Sequence, residues 1–413
     1  MKDFLKFTFA TVLGIIVAGV LFFFLSILTI FGAAASSESE TKVSENSVFS
    51  LNLSGSISER SVDNPLAAIT GGESSIGLND ILSSIQKAKE NENVKGIYLQ
   101  SEGTFVANYA SLKAIHDALL DFKESGKFIV AYADNYSQDE YYLASVADKV
   151  MLNPRGMLLW SGIASQNIFY KDLLEKLGVG IQVFKVGTYK SAVEPYISME
   201  MSEANREQNS VLLNSMWGKI CDDISKSRNI SVEKINQFAD DLTLLFDTQS
   251  AVDNNFIDGL IYRDEVIAML HQLTNTAENK KVNIIKNSQY AKVRPELFTG
   301  EDRIAIVYAS GQIIDGEGDE STIGSVTLSE AIRQARTDKK VKAIVMRVNS
   351  PGGSAVASEV IRREVELAAK EKPFIVSMGS YAASGGYWIS SSSDYIFADP
   401  TTLTGSIGVF GTM

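Results

Sequence analysis

A serine at a strand-to-helix turn is the residue of this chain whose position best suits chemistry. The apolar run that begins at Phe374 predicts a buried strand, and small residues then lead into a predicted helix that begins near Ser384. Such a turn exposes the serine hydroxyl, and the amides that follow lie at the positive end of the helix. This arrangement suits a nucleophile beside an oxyanion site. The alternative is a tight turn that requires small residues, and a strict G-x-S-x-G motif is absent because residue 382 is alanine.

The base that would activate this serine is expected to be a lysine. The chain has two histidines, His116 and His271, and both fall in helical patterns that indicate packing or surface roles. A lysine acts as a base only when it is neutral, which burial away from a carboxylate favours. Lys190 has uncharged neighbours and is the first candidate, with Lys185 as its rival. A pairing with Glu194 would keep Lys190 charged and defeat the mechanism.

Three further motifs accompany the serine turn. They are Arg347-Val-Asn-Ser-Pro-Gly-Gly353, Leu403-Thr-Gly-Ser-Ile-Gly408 and Gly187-Thr-Tyr-Lys-Ser-Ala-Val-Glu-Pro-Tyr196. Together with the segment around Ser384, these motifs resemble the signal peptide peptidase A family in its long form with two tandem domains. The resemblance runs from the N-terminal segment to the last residue, and the four motifs occur in the family's order.

The resemblance implies a membrane-bound serine protease of the Clp/crotonase-like α/β fold that works through a Ser/Lys dyad. It assigns the nucleophile to Ser384 and the base to Lys190, and it gives Ser406 the role of orienting the lysine amine. The backbone amides of Gly353 and Gly385 would bind the oxyanion, since glycine lets backbone approach a substrate closely. Without the resemblance, Ser406 and the glycines would be ordinary turn residues. No metal or organic cofactor is implied, and the family forms homotetramers.

An internal repeat accounts for the tandem organisation. The repeated segments, at a constant offset of 246 residues, are Phe128-Ile-Val with Phe374-Ile-Val and Asp148-Lys-Val-Met-Leu-Asn-Pro154 with Asp394-Tyr-Ile-Phe-Ala-Asp-Pro400. Each copy shows the pattern strand, helix, strand, short helix, strand, which predicts helices packed on a mostly parallel sheet. At this offset Ser384 corresponds to Gln138. The first copy therefore lacks a nucleophile, although it contributes Lys190.

The repeat predicts the domain boundaries. We predict a membrane anchor over 1–35, a tether over 36–47, a first crotonase-like domain over 48–278, a linker over 279–300 and a second crotonase-like domain over 301–413. Helical spacing after residue 202 indicates that helices complete the first domain. A second copy of equal extent would continue well past Pro400, so we expect the second domain to be incomplete.

The N-terminal segment predicts an anchor in the cytoplasmic (inner) membrane. Lys2 and Lys6 precede an uncharged run whose apolar part exceeds the roughly 20 residues needed to span a bilayer. The run is longer than the roughly 7–15-residue core of a cleavable signal peptide, although Gly32-Ala-Ala-Ala35 resembles a cleavage site. Lysines on the short side predict that the N-terminus lies inside and that the catalytic domains lie on the extracytoplasmic, periplasmic side.

Composition excludes several classes of function. A formal net charge of −12 argues against nucleic acid as a partner, because such partners require basic surfaces. The single cysteine, Cys221, excludes an intramolecular disulfide and is expected to be a core thiol.

These observations predict a membrane-anchored serine endopeptidase that cleaves hydrophobic peptides, such as remnant signal peptides, through an acyl-enzyme. Its expected partners are these peptides, the membrane and further copies of itself. One rival is a crotonase-fold acyl-CoA enzyme, which would be cytoplasmic and would not need Lys190. The other is a catalytically silent membrane scaffold of the same fold, and the intact Ser384, Lys190 and Ser406 argue against it.

Overall fold

Two parallel sheets, one in each copy of the repeat, organise the chain in the computed structural model. The structure describes residues 1–36, 42–61, 76–291, 293 and 300–413. Helix α1 (Lys2–Ser36) precedes both copies and includes a stretch long and apolar enough to cross a membrane. Parts of the predicted tether and linker, namely 37–41, 292 and 294–299, lie outside the described residues.

The first copy alternates strands and helices. Its repeat elements are β1 (Ser47–Ser58), β2 (Ile76–Gly77), α2 (Leu78–Glu90), β3 (Val94–Val106), α3 (Tyr109–Lys123), β4 (Phe128–Ala133), α4 (Gln138–Ala144) and β5 (Lys149–Leu152). The elements that follow are α5 (Lys171–Lys176), β6 (Val183–Lys185), α6 (Glu194–Ile197), α7 (Glu203–Arg228), α8 (Val232–Asp241), α9 (Thr243–Phe246), α10 (Thr248–Asp253), β7 (Gly259–Leu260), α11 (Arg263–Leu273), β8 (Ile284–Lys286) and α12 (Asn287–Tyr290). The sheet has the strand order β2-β1-β3-β4-β5-β7, with β8 beside β1, and its pairs are parallel.

The second copy repeats this order. Its elements are β9 (Arg303–Ser310), β10 (Gln312–Ile314), β11 (Thr322–Gly324), α13 (Ser325–Thr337), β12 (Val341–Ser350), α14 (Ala355–Ala369), β13 (Phe374–Ala383), α15 (Gly385–Ser390), β14 (Tyr395–Phe397), β15 (Leu403–Gly405) and β16 (Phe410–Thr412). The parallel sheet has the order β14-β13-β12-β9, and β15 pairs with the end of β13. This α/β architecture with parallel sheets confirms the Clp/crotonase-like fold class.

Each copy has its own apolar core between the sheet and the helices packed on it. In the first copy, Ile97 and Ile129 of the sheet meet Ile115 of α3, and all three side chains are buried. In the second copy, Ile344 and Phe374 meet Ile361 of α14 in the same way. Parallel strands buried under helices account for the near-continuous apolar runs in the sequence.

The repeated Phe-Ile-Val motif does not occupy the same place in the two sheets. Val94-Lys-Gly-Ile97 matches Val341-Lys-Ala-Ile344 in sequence at an offset of 247, so Ile344 corresponds to Ile97. Ile97 pairs with Ile129, whereas Ile344 pairs with Phe374. A shift of one residue turns a side chain to the opposite face, so Phe374 takes the core position that Ile129 holds in the first copy. The constant offset of 246 predicted for this strand is therefore wrong by one residue. The sequence match shows the repeat correctly but not its register here.

The segment predicted as a linker over 279–300 contributes to the first copy. Strand β8 pairs with β1, with Phe49 opposite Ile285. Tyr290 is fully buried, and its ring lies 4.8 Å from the ring of Phe49, centroid to centroid. The apolar residues of this polar and basic stretch therefore complete the first core, and the first copy extends at least to Tyr290.

Candidate active site

Ser384 lies where β13 ends and α15 begins. Its backbone has φ 51° and ψ −114°, a conformation that residues other than glycine rarely adopt. The Ser384 amide donates to Gly405 O at 3.0 Å, and its carbonyl accepts from Trp388 N at 2.9 Å. Its side chain makes no capping hydrogen bond, although the residue holds the N-cap position. The backbone is thus fixed while the hydroxyl is not used in capping.

The glycine loop after β12 lies against this turn. Gly352 has φ +96°, and a Cβ on it would lie 2.6 Å from Gly385 N and 2.9 Å from the Cβ of Ser384. Ser350, fully buried, holds the loop from below: its Oγ donates to Gly311 O at 2.7 Å and accepts from Gly352 N at 3.1 Å. Only glycine fits at Gly352, because the loop backbone touches the serine turn directly.

The amides of Gly353 and Gly385 are the candidates for the oxyanion site. Gly353 bridges to Ile313 through its neighbours, since Ile313 N donates to Gly352 O and Ser354 N donates to Ile313 O, both at 2.9 Å. The Gly353 N–H takes no part in that bridge. Gly385 is the first residue of α15, where an N–H has no acceptor within the helix. Both amides therefore suit the oxyanion role predicted for them.

Strand β15 places Ser406 beside the serine turn. Ala383 is the register partner of Gly405, and Thr404 Oγ1 donates to Ala382 O at 2.9 Å. Ser406 follows with φ 48°, so the chain turns sharply away from β13 at this residue. After this turn, the Ser406 carbonyl contacts a side chain of the first copy.

That side chain is Lys190, whose amine donates to the Ser406 carbonyl at 3.0 Å. The approach depends on β16, which pairs antiparallel with β6 and so ties the segment after Ser406 to the segment before Lys190. The Lys190 amine also lies 5.6 Å from the ring centroid of Phe410. Within a single chain, the Ser384 amide and the Lys190 amine therefore hydrogen-bond to the carbonyls of two adjacent residues, Gly405 and Ser406.

Burial determines the state of this lysine. Lys190 is only 4% exposed, and burial lowers the pKa of its amine below the usual lysine value. No described carboxylate forms an ion pair with it. The predicted contact with Ser406 exists, but the acceptor is the backbone carbonyl rather than the hydroxyl.

Two other residues bear on the assignment of Lys190 as the base: Lys185 as a rival base and Glu194 as a possible ion-pair partner. Lys185 is exposed on β6, where it serves as the register partner of Phe410. Glu194 is buried and accepts from Ser202 Oγ at 2.6 Å and from Asn205 Nδ2 at 2.9 Å. Burial alone would raise the pKa of Glu194, but these hydrogen bonds outweigh it and hold that pKa below its usual range. Glu194 therefore does not pair with Lys190.

In the first copy, Gln138 stands at the position that corresponds to Ser384. Its Oε1 accepts from Gly162 N at 3.0 Å and Ser161 N at 3.2 Å, and its Nε2 donates to Tyr109 Oη at 3.2 Å. The amide group thus fills the space where a nucleophile would be needed.

The groups assigned to packing do pack. His116 is fully buried and stacks on Tyr142 with ring centroids 4.6 Å apart. His271 is partly exposed, and its Nδ1 lies 3.3 Å from Thr276 O. Cys221 is buried, and burial raises the pKa of its thiol to about 12. None of these contacts involves Ser384.

Sequence reasoning missed two other contacts that join the copies. The β6–β16 pair links short strands more than 200 residues apart, and neither strand carries a periodic signal. A bidentate ion pair between Glu59 and Arg347 also crosses the copies. Arg347 was visible as the first residue of a motif, but nothing in the sequence indicates Glu59 as its partner.

Comparison with known proteins agrees with this architecture. The model of peptidase family S49 matches residues 121–277 and 366–413. The chain is 41% identical over 341 residues to Protease 4 of Haemophilus influenzae, which covers 80% of this chain and 55% of that protein. It is 44% identical over 342 residues to Protease 4 of Salmonella typhi, covering 81% and 55% of the two chains. It is 32% identical over 375 residues to the chloroplastic serine protease SPPA of Arabidopsis thaliana, covering 89% and 54%.

Parallel α/β copies with a glycine loop beside a strained serine define a protein of the Clp/crotonase-like class. Within that class, the chain belongs to peptidase family S49, which confirms the resemblance drawn from its four motifs. It spans about half the length of the curated relatives that it matches.

Proposed function

We propose that this protein is a membrane-anchored serine endopeptidase in which Ser384 is the nucleophile and Lys190 the general base. The observation that carries the proposal is the shared turn: Ser384 N donates to Gly405 O, and the Lys190 amine donates to Ser406 O, each at 3.0 Å. A serine hydroxyl needs a base to become a nucleophile, and a buried lysine without a carboxylate partner supplies one.

The reaction would proceed through an acyl-enzyme. The neutral amine of Lys190 takes the proton of the Ser384 hydroxyl as the oxygen attacks the scissile carbonyl. The amides of Gly353 and Gly385 stabilise the negative charge on the carbonyl oxygen. Lys190 then returns the proton to the leaving amine. In the second half of the cycle, Lys190 accepts a proton from water as the water oxygen attacks the acyl carbon. The bond between that carbon and Ser384 Oγ then breaks, and Lys190 returns the proton to Ser384 Oγ, which releases the acid product.

Ser406 orients the base through its carbonyl. A carbonyl oxygen only accepts hydrogen bonds, so the Lys190 amine must use one of its own N–H groups to reach it. In the neutral amine, this bond leaves the lone pair available to face Ser384. The family resemblance implies an orienting role for Ser406, and in this proposal the backbone carbonyl performs it in place of the hydroxyl.

Apolar surface around the site favours hydrophobic peptides, such as remnant signal peptides, as substrates. Val186 and Ile407, on the two segments that meet near Lys190, are 74% and 73% exposed. Helix α1 is suited to hold the protein at the membrane where such peptides accumulate. Its lysines favour an orientation that places both copies on the extracytoplasmic side.

Labelling with a fluorophosphonate, followed by mass mapping of the labelled peptide, tests this proposal. The protein in detergent micelles should be labelled on Ser384, and it should cleave an apolar peptide about 20 residues long. Lys190→Ala should keep its melting temperature, while its labelling and cleavage rates both fall to a small residual value, by about 10³-fold. A label on another residue, or equal labelling in Lys190→Ala, would contradict the proposal. An acyl-CoA enzyme or a silent scaffold would give neither label nor cleavage.

A further inference from the structure

A carboxylate from the first copy is buried within the second. Glu59, only 7% exposed, accepts from Arg347 Nε at 2.8 Å and from a terminal guanidinium nitrogen at 3.2 Å. Such a bidentate pair fixes both the distance and the orientation of its partners. Glu59 follows β1 of the first copy, and Arg347 lies on β12 of the second.

The first copy holds Glu59 firmly from its own side. Ser61 Oγ donates to Asp80 Oδ2 at 2.5 Å and accepts from Gly77 N at 2.8 Å. Asn79 N donates to Glu59 O at 3.4 Å. These bonds tie the turn after β1 to the start of α2, so the backbone of Glu59 is fixed relative to the first copy.

On the other side, Arg347 joins the two strands that lead to the site. Besides Glu59, its guanidinium donates to Ser377 Oγ at 3.0 Å and to Met378 O at 3.1 Å, both on β13. A Cβ at Gly379 would lie only 2.6 Å from Glu59 Oε1. The carboxylate therefore lies directly against the strand that ends at Ser384, and β12 itself continues into the Gly352–Gly353 loop.

From this geometry we infer that Glu59 is a positioning residue for catalysis, because it sets the register between the copy that carries Lys190 and the copy that carries Ser384. The inference rests on the proposed function. Among the described residues, other contacts between the copies include the β6–β16 strands, the Lys190 bond to Ser406 O, the packing of α3 on β13 with Ser111 Oγ 3.3 Å from Ser380 Oγ, and Arg60 over the ring of Tyr308. None of these contacts is an ion pair, so the pair of Glu59 with Arg347 adds a bidentate, charge-assisted constraint that they do not supply.

Loss of Glu59 should therefore act through Lys190. In Glu59→Gln, Arg347 keeps its bonds to Ser377 and Met378, so Ser384 and the glycine loop stay in place within the second copy. The first copy loses its charge-assisted tie, and the lysine amine loses its alignment. We expect the rate constant for fluorophosphonate labelling of Ser384 to fall about tenfold, with kcat reduced similarly and KM changed less than threefold.

The decisive comparison repeats Glu59→Gln in a Lys190→Ala background. There the residual labelling rate should change less than twofold, because the group that Glu59 aligns is already gone. Lys342→Ala is the matched control, since it removes an exposed ion pair with Asp302, 3.4 Å long, on the same strand as Arg347. It should keep the parent rate. Glu59→Asp, which keeps the charge but shortens the reach, should give an intermediate loss if Glu59→Gln does not fold.

Two outcomes would overturn the inference while leaving the proposed function intact. One is an unchanged labelling rate in folded Glu59→Gln and Glu59→Asp. The other is an equal fold-loss with and without Lys190, which would mean that Glu59 supports Ser384 or general stability instead of the lysine. If labelling of the parent protein does not depend on Lys190, the proposed function fails first and the inference fails with it.

Discussion

Backbone strain and an unused hydroxyl coincide at Ser384. A non-glycine residue at positive φ costs on the order of 1–2 kcal/mol, and structures retain that cost where the surroundings determine the conformation. Here the glycine loop, β15 and the first turn of α15 all contact the residue. A serine with a purely structural role at an N-cap would be expected to accept a hydrogen bond through its hydroxyl from a backbone N–H in the first turn of the helix. Strain without capping fits a nucleophile better than a simple turn.

Substitutions at the proposed dyad should remove activity without removing the fold. Ser384→Ala and Lys190→Ala should each lower kcat for peptide hydrolysis by at least about 10³-fold. Lys190→Arg should fail equally, since a guanidinium does not lose its proton. Circular dichroism and steady-state kinetics in detergent measure both effects.

Gln138→Ala serves as the matched control for these variants, because Gln138 holds the corresponding position in the first copy. It should keep parental activity and lose only a little stability from its bonds to Gly162 and Tyr109. Substantial hydrolysis by Lys190→Ala would move the base assignment elsewhere, with Lys185 as the next residue to test.

The sequence alone places each proposed site residue in a local motif, but it does not show that these residues come together in space. Ser384, Gly353 and Ser406 fall within about 50 residues, and the turn chemistry of each is local. Lys190 lies 216 residues from Ser406, and only the tertiary pairing of β6 with β16 brings it there. Burial of its amine, which decides whether it can be neutral, is likewise a property of the folded chain.

At the scale of the elements, the glycine loop beside Ser384 leaves no room for added volume. Gly352→Ala should lower kcat by about 10²-fold, because its Cβ would lie 2.6 Å from Gly385 N and would displace the predicted oxyanion amide. Gly126→Ala is the control: its φ is also positive, at +75°, but nothing lies within 4 Å of the added Cβ. It should cost about 1 kcal/mol of stability and leave kcat unchanged. Equal activity of the two variants would contradict the assigned role of the loop.

Strand β16 should be needed for catalysis because its pairing with β6 holds the segment before Lys190 beside the site. Gln182 and Met413 exchange both backbone hydrogen bonds, so alternation makes Phe184 and Gly411 the next bonded pair along the ladder. Gly411→Pro removes one of these donors and should lower kcat at least tenfold.

Thr412→Pro is the matched control, since its N–H points out of the ladder, and it should stay within about threefold of the parent. Stopped-flow measurement of acylation in both variants decides the matter. If Gly411→Pro and Thr412→Pro behave alike, the strand pair does not position the lysine.

Element types follow well from the sequence, whereas registers and boundaries do not. The alternation of strand and helix in both copies arises from local periodicity, which the sequence contains. The one-residue shift at Phe374 and the addition of β8 to β1 depend on how side chains fill each core. Tyr290, inside a polar stretch, shows how one buried ring can attach a segment that composition alone assigns to a linker.

At the scale of the whole molecule, duplication has separated two parts of one proposed active site. In the proposed function, the second copy would supply the nucleophile and the oxyanion amides, and the first would supply the base. Gln138 occupies the position that corresponds to Ser384, while Glu59 and β6 link the copies. A division of this kind makes activity depend on the relative placement of two separately folded cores, and not only on either core.

The central claim, that buried neutral Lys190 activates Ser384, is tested most directly by the pH dependence of kcat/KM on a hydrophobic peptide ester. Burial lowers the pKa of Lys190, so its neutral form grows as pH rises and predominates above that depressed pKa. We predict that kcat/KM rises with pH, reaches half its maximum below the reference lysine pKa of about 10.4, and stays high at alkaline pH. A profile that falls steadily between about pH 7 and 9, in protein shown to remain folded there, would contradict the neutral-lysine mechanism.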